Sequence, residues 1–113
     1  MRSSHPRRGE IYEGDSTKSG MDKDRPLLIV QNDLGNKYSP YTIIVPIHHE
    51  KMKLLPVMVS VPKEVAGLKK DSVIDCGHIA CVLNVDLGNF VGFLPSTYMA
   101  QVDTALKKSL ALT

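Results

Sequence analysis

The chain contains no tryptophan, and only two phenylalanines and four tyrosines stand among its 113 residues. Its hydrophobic core must therefore be built mainly from aliphatic side chains. No apolar run approaches the ~18 residues of a membrane-spanning helix, and no apolar signal-peptide segment follows Met1. We therefore expect a soluble, cytoplasmic protein with no membrane partner.

Cysteine is also scarce, since only Cys76 and Cys81 are present. Their side chains would face opposite sides of one predicted strand and could not form a disulfide, unless a bulge or turn at Gly77 changes that alternation. Two isolated cysteines make neither a disulfide framework nor a zinc site, so we expect reduced thiols.

A strong excess of charge of one sign is lacking too. Fourteen Lys and Arg residues against 12 Asp and Glu residues leave a net charge of +2. This balance permits nucleic-acid binding without indicating it, because dedicated binders are usually more basic. The length suits one domain, so we assign residues 1–7 to a flexible lead-in and residues 8–113 to a single domain.

Apolar runs separated by turn-forming residues predict a series of short β-strands. The predicted strands cover residues 9–12, 26–30, 41–47, 55–61, 72–75, 78–83 and 90–94. Polar segments at 14–24 and 34–40 indicate loops, the first of them mobile, and 62–71 indicates a turn or a one-turn helix. Pro46 cannot donate a ladder hydrogen bond and therefore predicts a bulge or a sheet edge.

The C-terminal segment follows a helical period instead. Met99, Val102, Leu106 and Leu110 recur at spacings that predict an amphipathic helix of about fifteen residues, with Ser96 as its N-cap. The whole pattern predicts a mainly β, barrel-like fold with a C-terminal α-helix. Many functions occur on such folds, so the chemistry must be argued from individual residues.

Arg25 stands between the long polar loop and an apolar strand. A rigid strand would anchor it, and its planar fork of donors suits a phosphate group. The alternative is a surface arginine that pairs with Asp22 or Asp24.

His48 and His49 close the strand predicted at 41–47. Histidine changes charge near neutral pH and can carry a proton beside a phosphate-binding arginine. Adjacent residues on a strand face opposite sides, so at most one of the two would face such a site. The alternative is a pair of solvated histidines. A metal site is disfavoured, because no carboxylate or cysteine lies at a supporting spacing.

Asp75-Cys76-Gly77-His78 is a third candidate, as a Cys/His nucleophile pair. A buried structural cysteine near a histidine is the alternative that base rates favour. Lysines in the connections could line a phosphate track or simply be solvated; these are Lys37, Lys51, Lys53, Lys69 and Lys70.

Four separated segments resemble the MazF/PemK/Kid family of toxins in the family's own order. Residues 25–40 contain Arg-Pro, an apolar strand, Gln-Asn-Asp, a glycine turn and Ser-Pro; residues 8–12 resemble the family's opening, 71–74 its Asp-Ser-Val strand and 102–112 its last helix. The resemblance implies a small SH3-like barrel of the CcdB/PemK-like type, packed as a homodimer whose interface forms an RNA groove.

The activity implied by the resemblance is that of an endoribonuclease, or mRNA interferase, in a type II toxin–antitoxin system. It would cleave single-stranded RNA sequence-specifically, without a metal or other cofactor, under the control of a cognate antitoxin. Without a metal, the RNA 2′-hydroxyl must attack the adjacent phosphorus, which leaves a 2′,3′-cyclic phosphate and a 5′-hydroxyl.

The resemblance also assigns site residues. Arg25 falls on the family's catalytic arginine, for phosphorane stabilisation and general-acid work. His48 stands where the family usually has a threonine, and we expect it to act as a substitute proton carrier. The other expected RNA-binding residues are Ser19, Gln31, Asn32, Lys53 and His78, and the expected gating loop is marked by Gly14, Gly20 and Asp24.

Two alternatives use the same fold without RNA cleavage. A gyrase-directed toxin of the related CcdB family would end in Trp-Gly-Ile, which this chain lacks. A non-catalytic binding module would explain His48, His78 and Ala80 as marks of a drifted site.

Overall fold

The computed structural model describes residues 5–49 and 53–113. Lys51 and the first four residues of the expected lead-in lie outside these ranges. The strands are β1 (Glu10–Gly14), β2 (Arg25–Ile29), β3 (Tyr41–His48), β4 (Met58–Val61), β5 (Ser72–Asp75), β6 (Ala80–Leu83) and β7 (Leu87–Phe93). The α-helices are α1 (Ser16–Ser19), α2 (Asp33–Tyr38) and α3 (Ser96–Ser109), and single 3₁₀ turns cover Val65–Gly67 and Asn84–Asp86.

The strands form one antiparallel sheet in the order β4-β5-β3-β2-β1-β7, with β6 also paired to β3. The predicted mainly β class with a C-terminal helix is therefore confirmed. Among the described residues, no helix is long and apolar enough to cross a membrane.

Strand β3 organises the sheet because one of its edges serves two partners. Its first half pairs with β6, up to Ile44 opposite Ala80, and its end pairs with β5 from Ile47 opposite Ile74. Pro46 lies between these two pairings and faces Leu27 of β2 on the other edge. The proline is thus inside a central strand, at a point where hydrogen bonding along one edge is interrupted, so of the two predicted alternatives the sheet edge is wrong.

Apolar side chains pack on both faces of the sheet. The larger cluster joins the sheet to α3 and includes Ile11, Leu28, Val45, Ile47, Ile74 and Val102. The smaller cluster, on the opposite face, is formed by Tyr12, Met21, Leu27, Ile29, Ile44 and Val82. The expectation of an aliphatic core is confirmed, with Tyr12 as a buried aromatic exception.

Helix α3 has the predicted position and buries Val102 and Ala105. Its N-cap is Pro95, and Ser96 is already helical, so the predicted cap is wrong by one residue. The Pro95 carbonyl accepts from the amides of Tyr98 and Met99, both at 3.0 Å. Proline fits here because its fixed φ suits a helix start and its missing N–H costs nothing there.

Two segments predicted as loops contain helices. Residues 33–38 form α2, whose N-cap Asn32 accepts from the Gly35 amide at 2.8 Å. The 14–24 segment contains α1, capped by Asp15 through the Thr17 amide at 2.9 Å and closed by Gly20 at φ 79°. Gly and Asn inside α2 lower its helix propensity, which is why the sequence indicated a turn.

Strand boundaries also shift. Strand β4 begins at Met58 rather than at position 55, and β6 begins at Ala80, which leaves His78 in the preceding turn. Strand β7 begins at Leu87 and includes residues predicted as a turn. The predicted one-turn helix is found as the 3₁₀ turn Val65–Gly67.

Candidate active site

Arg25 is the first residue of β2 and is 7% exposed. Its Nε lies 3.0 Å from Oδ1 of Asp22, and its Nη2 lies 3.1 Å from Oδ2 of the same carboxylate. The pairing with Asp22 considered from the sequence is therefore present, but the guanidinium is buried rather than on the surface. Arg25 thus presents a preformed fork that holds two anionic oxygens at once.

Asp22 stands on the outer side of this pair, and its side chain is 72% exposed. The hydrogen bond from Arg25 lowers the pKa of the Asp22 carboxyl below its ordinary value. The other predicted partner, Asp24, instead accepts from the Ser16 amide at 2.8 Å and helps to hold α1. The anion on the fork is therefore a side chain that faces solvent.

The base of the 14–24 segment is fixed at the same arginine. Gly14 of β1 is opposite Arg25 of β2, so the segment is a connection whose two ends meet at the fork. A Cβ at Gly14 would lie 2.5 Å from Leu27 Cδ1 and 2.9 Å from the Arg25 carbonyl oxygen. The glycine therefore permits the close packing of β1 against β2 at this point.

His48 projects from the same face of the sheet as Arg25. In the β2–β3 pair, Leu27 is opposite Pro46 and Ile29 is opposite Ile44. Opposed residues of antiparallel strands share a face, and alternate residues return to it. Arg25 lies two residues before Leu27, and His48 lies two residues after Pro46. The two side chains therefore project from the same face as Leu27 and Pro46.

His48 lies beside an acidic residue that the sequence did not identify as its partner. Its Nε2 is 3.7 Å from Oδ2 of Asp75, the last residue of β5, and both side chains are largely buried. The sequence showed Asp75 only as a neighbour of Cys76. Its proximity to His48 depends on the register of β3 with β5, which no local pattern reveals.

His49 is held differently from His48. Its Nδ1 is 2.9 Å from Ser72 Oγ, and the Ser72 hydroxyl donates to the Lys70 carbonyl at 2.8 Å. Because the hydroxyl has one proton, His49 Nδ1 must be the donor in the first contact. His49 also borders a cleft of about 350 Å³ that Glu13, Pro26 and Lys69 line with it. The two histidines thus have different partners: His48 lies beside Asp75, and His49 contacts Ser72.

Gln31 and Asn32 lie far from the fork. Five residues lie between Arg25 and Gln31, so the two are six steps apart, or about 20 Å along an extended chain. Gln31 Nε2 donates to Asn36 Oδ1 at 3.0 Å and to the Tyr41 carbonyl at 3.1 Å, while Asn32 caps α2. These contacts hold α2 against β3, and the structure does not bring the two residues to Arg25.

The remaining expected RNA-binding residues are dispersed. Ser19 ends α1 and its hydroxyl accepts from the Met21 amide at 3.3 Å. Lys53 is exposed in the connection before β4, and His78 is exposed in the turn that follows β5. The His78 amide donates to the Asp75 carbonyl at 3.3 Å, which ties this turn to the His48–Asp75 pair.

The cysteines do not form a nucleophilic site. Burial, and then the nearby charges of Asp75 and Asp103, raise the pKa of the Cys76 thiol to about 12. A thiol that stays protonated at neutral pH is a poor nucleophile. Cys81 is exposed on β6. In the part of the chain that the structure describes, no cluster of three His, Cys, Asp or Glu residues could hold a metal ion.

A small antiparallel sheet with one terminal helix thus carries a buried arginine fork and a histidine–aspartate pair on one face. A sequence profile described as the PemK-like, MazF-like toxin of type II toxin-antitoxin systems matches residues 7–110. The chain belongs to this family, and the resemblance found in the sequence is confirmed.

Two curated relatives cover nearly the whole chain. The endoribonuclease MazF of Staphylococcus epidermidis is 39% identical over 110 residues, which are 94% of this chain and 92% of the relative. The endoribonuclease EndoA of Bacillus subtilis strain 168 is 36% identical over 113 residues, covering 94% of this chain and 95% of the relative.

Solved structures confirm the fold independently. An endoribonuclease in complex with its cognate antitoxin, from a mycobacterial species, superimposes with a TM-score of 0.81 at 22% identity and covers 96% of this chain and 97% of its own. The Mycobacterium tuberculosis toxin MazF-mt6 superimposes with a TM-score of 0.77 at 24% identity, and the match covers 92% of this chain and 98% of the toxin.

Proposed function

We propose that this chain is the toxin of a toxin–antitoxin pair and cleaves single-stranded RNA sequence-specifically without a metal ion, leaving a 2′,3′-cyclic phosphate and a 5′-hydroxyl. Membership of the MazF-like toxins and the two relatives named endoribonucleases support the endoribonuclease activity. The observation that carries the proposed chemistry is the buried Arg25 fork, whose Nε and Nη2 donate to the two oxygens of the Asp22 carboxylate.

The Asp22 carboxylate shows which kind of group the Arg25 fork binds. Two oxygens of one anion sit 3.0 and 3.1 Å from Nε and Nη2 of Arg25. Two non-bridging oxygens of a phosphodiester have the same charge sign and can take the same two donors. RNA would replace Asp22 on the fork, and Arg25 would then face the phosphorus where negative charge develops in the transition state.

The proposed reaction is a transesterification within the RNA. The 2′-oxygen forms a bond to phosphorus and the bond from phosphorus to the 5′-oxygen breaks. His48 takes the 2′-hydroxyl proton, and Arg25 stabilises the phosphorane and the departing oxygen. That oxygen takes its proton from solvent, so this mechanism does not use the general-acid work expected of Arg25, because a guanidinium does not give up its proton in proteins. DNA is spared because it has no 2′-hydroxyl.

RNA contacts around the reacting phosphate are proposed for Ser19, Lys53 and His78. All three lie on connections, and Lys53 and His78 are exposed. For Gln31 and Asn32 an RNA contact stays a prediction beside their part in holding α2.

The 14–24 segment is proposed as the gate of the groove. Both of its ends are anchored at the Gly14–Arg25 pair, and it supplies the displaceable Asp22. Gly20 turns the chain after α1, and Asp24 holds α1 by its amide contact. Movement of this segment would therefore uncover Arg25 without unfolding the sheet.

A cognate antitoxin and a homodimer complete the proposal. The structural neighbour from a mycobacterial species was solved with its antitoxin, which supports control of this chain by a partner of that kind. We infer that the antitoxin closes the RNA groove, and that the groove forms between two copies of the chain.

The experiment is incubation of the purified protein with a long unstructured RNA in EDTA, followed by mapping of the cut ends. We expect discrete cuts with 5′-hydroxyl ends, abolished by Arg25→Ala and strongly reduced by His48→Ala. Arg8→Ala is the matched control, because Arg8 also pairs with a carboxylate, that of Asp103 at 2.6 Å, but lies outside the site.

Two outcomes would contradict the proposal at different points. No cutting of several RNAs between about pH 5 and about pH 9 would favour a non-catalytic or gyrase-directed protein that acts by binding. Full cleavage by His48→Ala together with a dead Arg25→Ala would remove His48 from the mechanism and leave the nuclease intact.

A further inference from the structure

The two carboxylate oxygens of Asp75 have different surroundings. Oδ1 accepts a hydrogen bond from the Gly77 amide at 2.9 Å, within the turn that follows β5. Oδ2 lies 3.7 Å from Nε2 of His48. The turn therefore fixes the carboxylate by one oxygen and leaves the other directed at the imidazole.

This arrangement is built into the strand register. His48 is opposite Val73, so Asp75 is its diagonal neighbour two residues along β5, on the same face of the sheet. Side chains at such diagonal positions can touch when one of them is long. The His48 and Asp75 side chains are 13% and 18% exposed, so water screens their interaction only in part.

We propose that Asp75 is a positioning residue that holds the Nε2–H of His48, so that Nδ1 is the ring nitrogen that takes the 2′-hydroxyl proton. The inference rests on the proposed function for its catalytic meaning. Within the part of the chain that the structure describes, Asp75 from β5 lies against His48, and Arg25 from β2 shares its face of the sheet and pairs with Asp22.

The proton accounting is simple. In neutral His48 one ring nitrogen carries a proton and the other carries a lone pair. With Nε2–H directed at the carboxylate, the lone pair is on Nδ1, and proton transfer from the 2′-hydroxyl makes an imidazolium whose charge Asp75 balances. At 3.7 Å the contact is longer than a hydrogen bond, so in the free protein the carboxylate favours the Nε2–H form through its charge across a partly buried gap, and RNA binding would bring the two atoms closer.

Asp75→Asn tests this role without disturbing the turn. The amide oxygen of asparagine can still accept from Gly77, while its NH₂ group replaces Oδ2 and cannot accept the Nε2–H of His48. The first measurement is the ¹⁵N NMR spectrum of the histidine rings in the full chain without RNA, at a pH where the rings are neutral.

We expect His48 to carry its proton on Nε2 in the wild type and to lose this preference in Asp75→Asn. His49 is the internal control, because its Nδ1–H contact with Ser72 is independent of Asp75. Identical His48 ring signals in the two proteins would overturn the inference, whether or not the protein cleaves RNA.

The second measurement is cleavage kinetics. Asp75→Asn should lower kcat about 10- to 100-fold with KM nearly unchanged, as loss of a residue that orients another typically does. In a His48→Gln background the same change should have no further effect. An equal loss in both backgrounds would show that Asp75 does not act through His48. Failure of the wild type to cut any RNA would instead contradict the proposed function, and the ring spectra would still decide the pairing.

Discussion

Asp22 occupies the donors that the RNA phosphate needs, so its removal should favour substrate binding. The carboxylate takes both Nε and Nη2 of Arg25, at 3.0 and 3.1 Å. Asp22→Asn keeps the size of the side chain but removes its charge, and the fork loses its charged competitor. We therefore expect tighter RNA binding with the chemical step unchanged.

The size of this effect follows from the exposure of the pair. The Arg25 side chain is 6% exposed, but that of Asp22 is 72% exposed, so solvent weakens the interaction from the Asp22 side. Pairs of this kind are weak, and displacing one should change KM only about two- to fivefold. The assay is steady-state cleavage of a short single-stranded RNA at fixed ionic strength, with KM and kcat measured separately.

The pH dependence gives a second check. Because Arg25 lowers the pKa of Asp22 below the ordinary value of 3.8, the carboxylate is charged throughout the range from about pH 5 to about pH 9. The pair therefore contributes to stability above pH 3.8 and loses that contribution as the pH falls through the lowered value. The fall in KM caused by Asp22→Asn should accordingly be constant across the assay range.

A matched control separates the fork from general charge. Asp71→Asn makes the same change in net charge at an exposed carboxylate that accepts from the Lys63 amide, and should leave KM nearly unchanged. An equal fall in KM for both variants would mean that only overall charge matters. A fall in kcat for Asp22→Asn would refute the reasoning, because Asp22 would then be holding Arg25 in its active position.

Three further predictions concern single residues. Alkylation followed by mass spectrometry of the native protein should label Cys81 and spare Cys76, whose pKa is raised to about 12 by burial, until the chain unfolds. Gly14→Ala should lower the free energy of unfolding in urea by about 1–3 kcal/mol, because its Cβ would lie 2.5 Å from Leu27 Cδ1; wild-type stability would contradict this. Asn32→Ala should cost about 1 kcal/mol through the lost cap of α2, and a rise in KM of the same variant would add an RNA contact to that role.

The elements that the sequence predicted well are those with a strong local signal. The apolar run at 26–30 and the helical period at 99–110 became β2 and α3 within a few residues. Helix α2 was not predicted because Gly35 and Asn36 disfavour a helix, and the hydrogen bonds that support it join residues five and six positions apart, which helix propensity does not register. Buried Asn36 accepts from Thr42 Oγ1 at 2.6 Å and donates to the Gln31 carbonyl at 3.0 Å.

The site also contains residues that a local sequence pattern predicts and residues that only the fold brings together. Arg25 could be found from its motif, and the Arg25–Asp22 pair lies within three residues of sequence, so it was among the alternatives. The His48–Asp75 pair joins residues 27 positions apart and depends on the partner change of β3 from β6 to β5. Only a known strand register brings these two side chains together.

Among the described residues, the resting site places a partner beside each charge that the proposed reaction would use. Arg25 is matched by Asp22, and Asp75 lies against a histidine that gains positive charge only when it takes a proton. When an RNA phosphate replaces Asp22, the fork keeps one anion and the released carboxylate returns to water, where its charge is well solvated. When His48 takes the 2′-hydroxyl proton, Asp75 already faces the new charge. Each step of the proposed reaction thus moves a charge toward a group that is in place before the substrate arrives, which is the condition for stabilising a transition state without reorganising the protein.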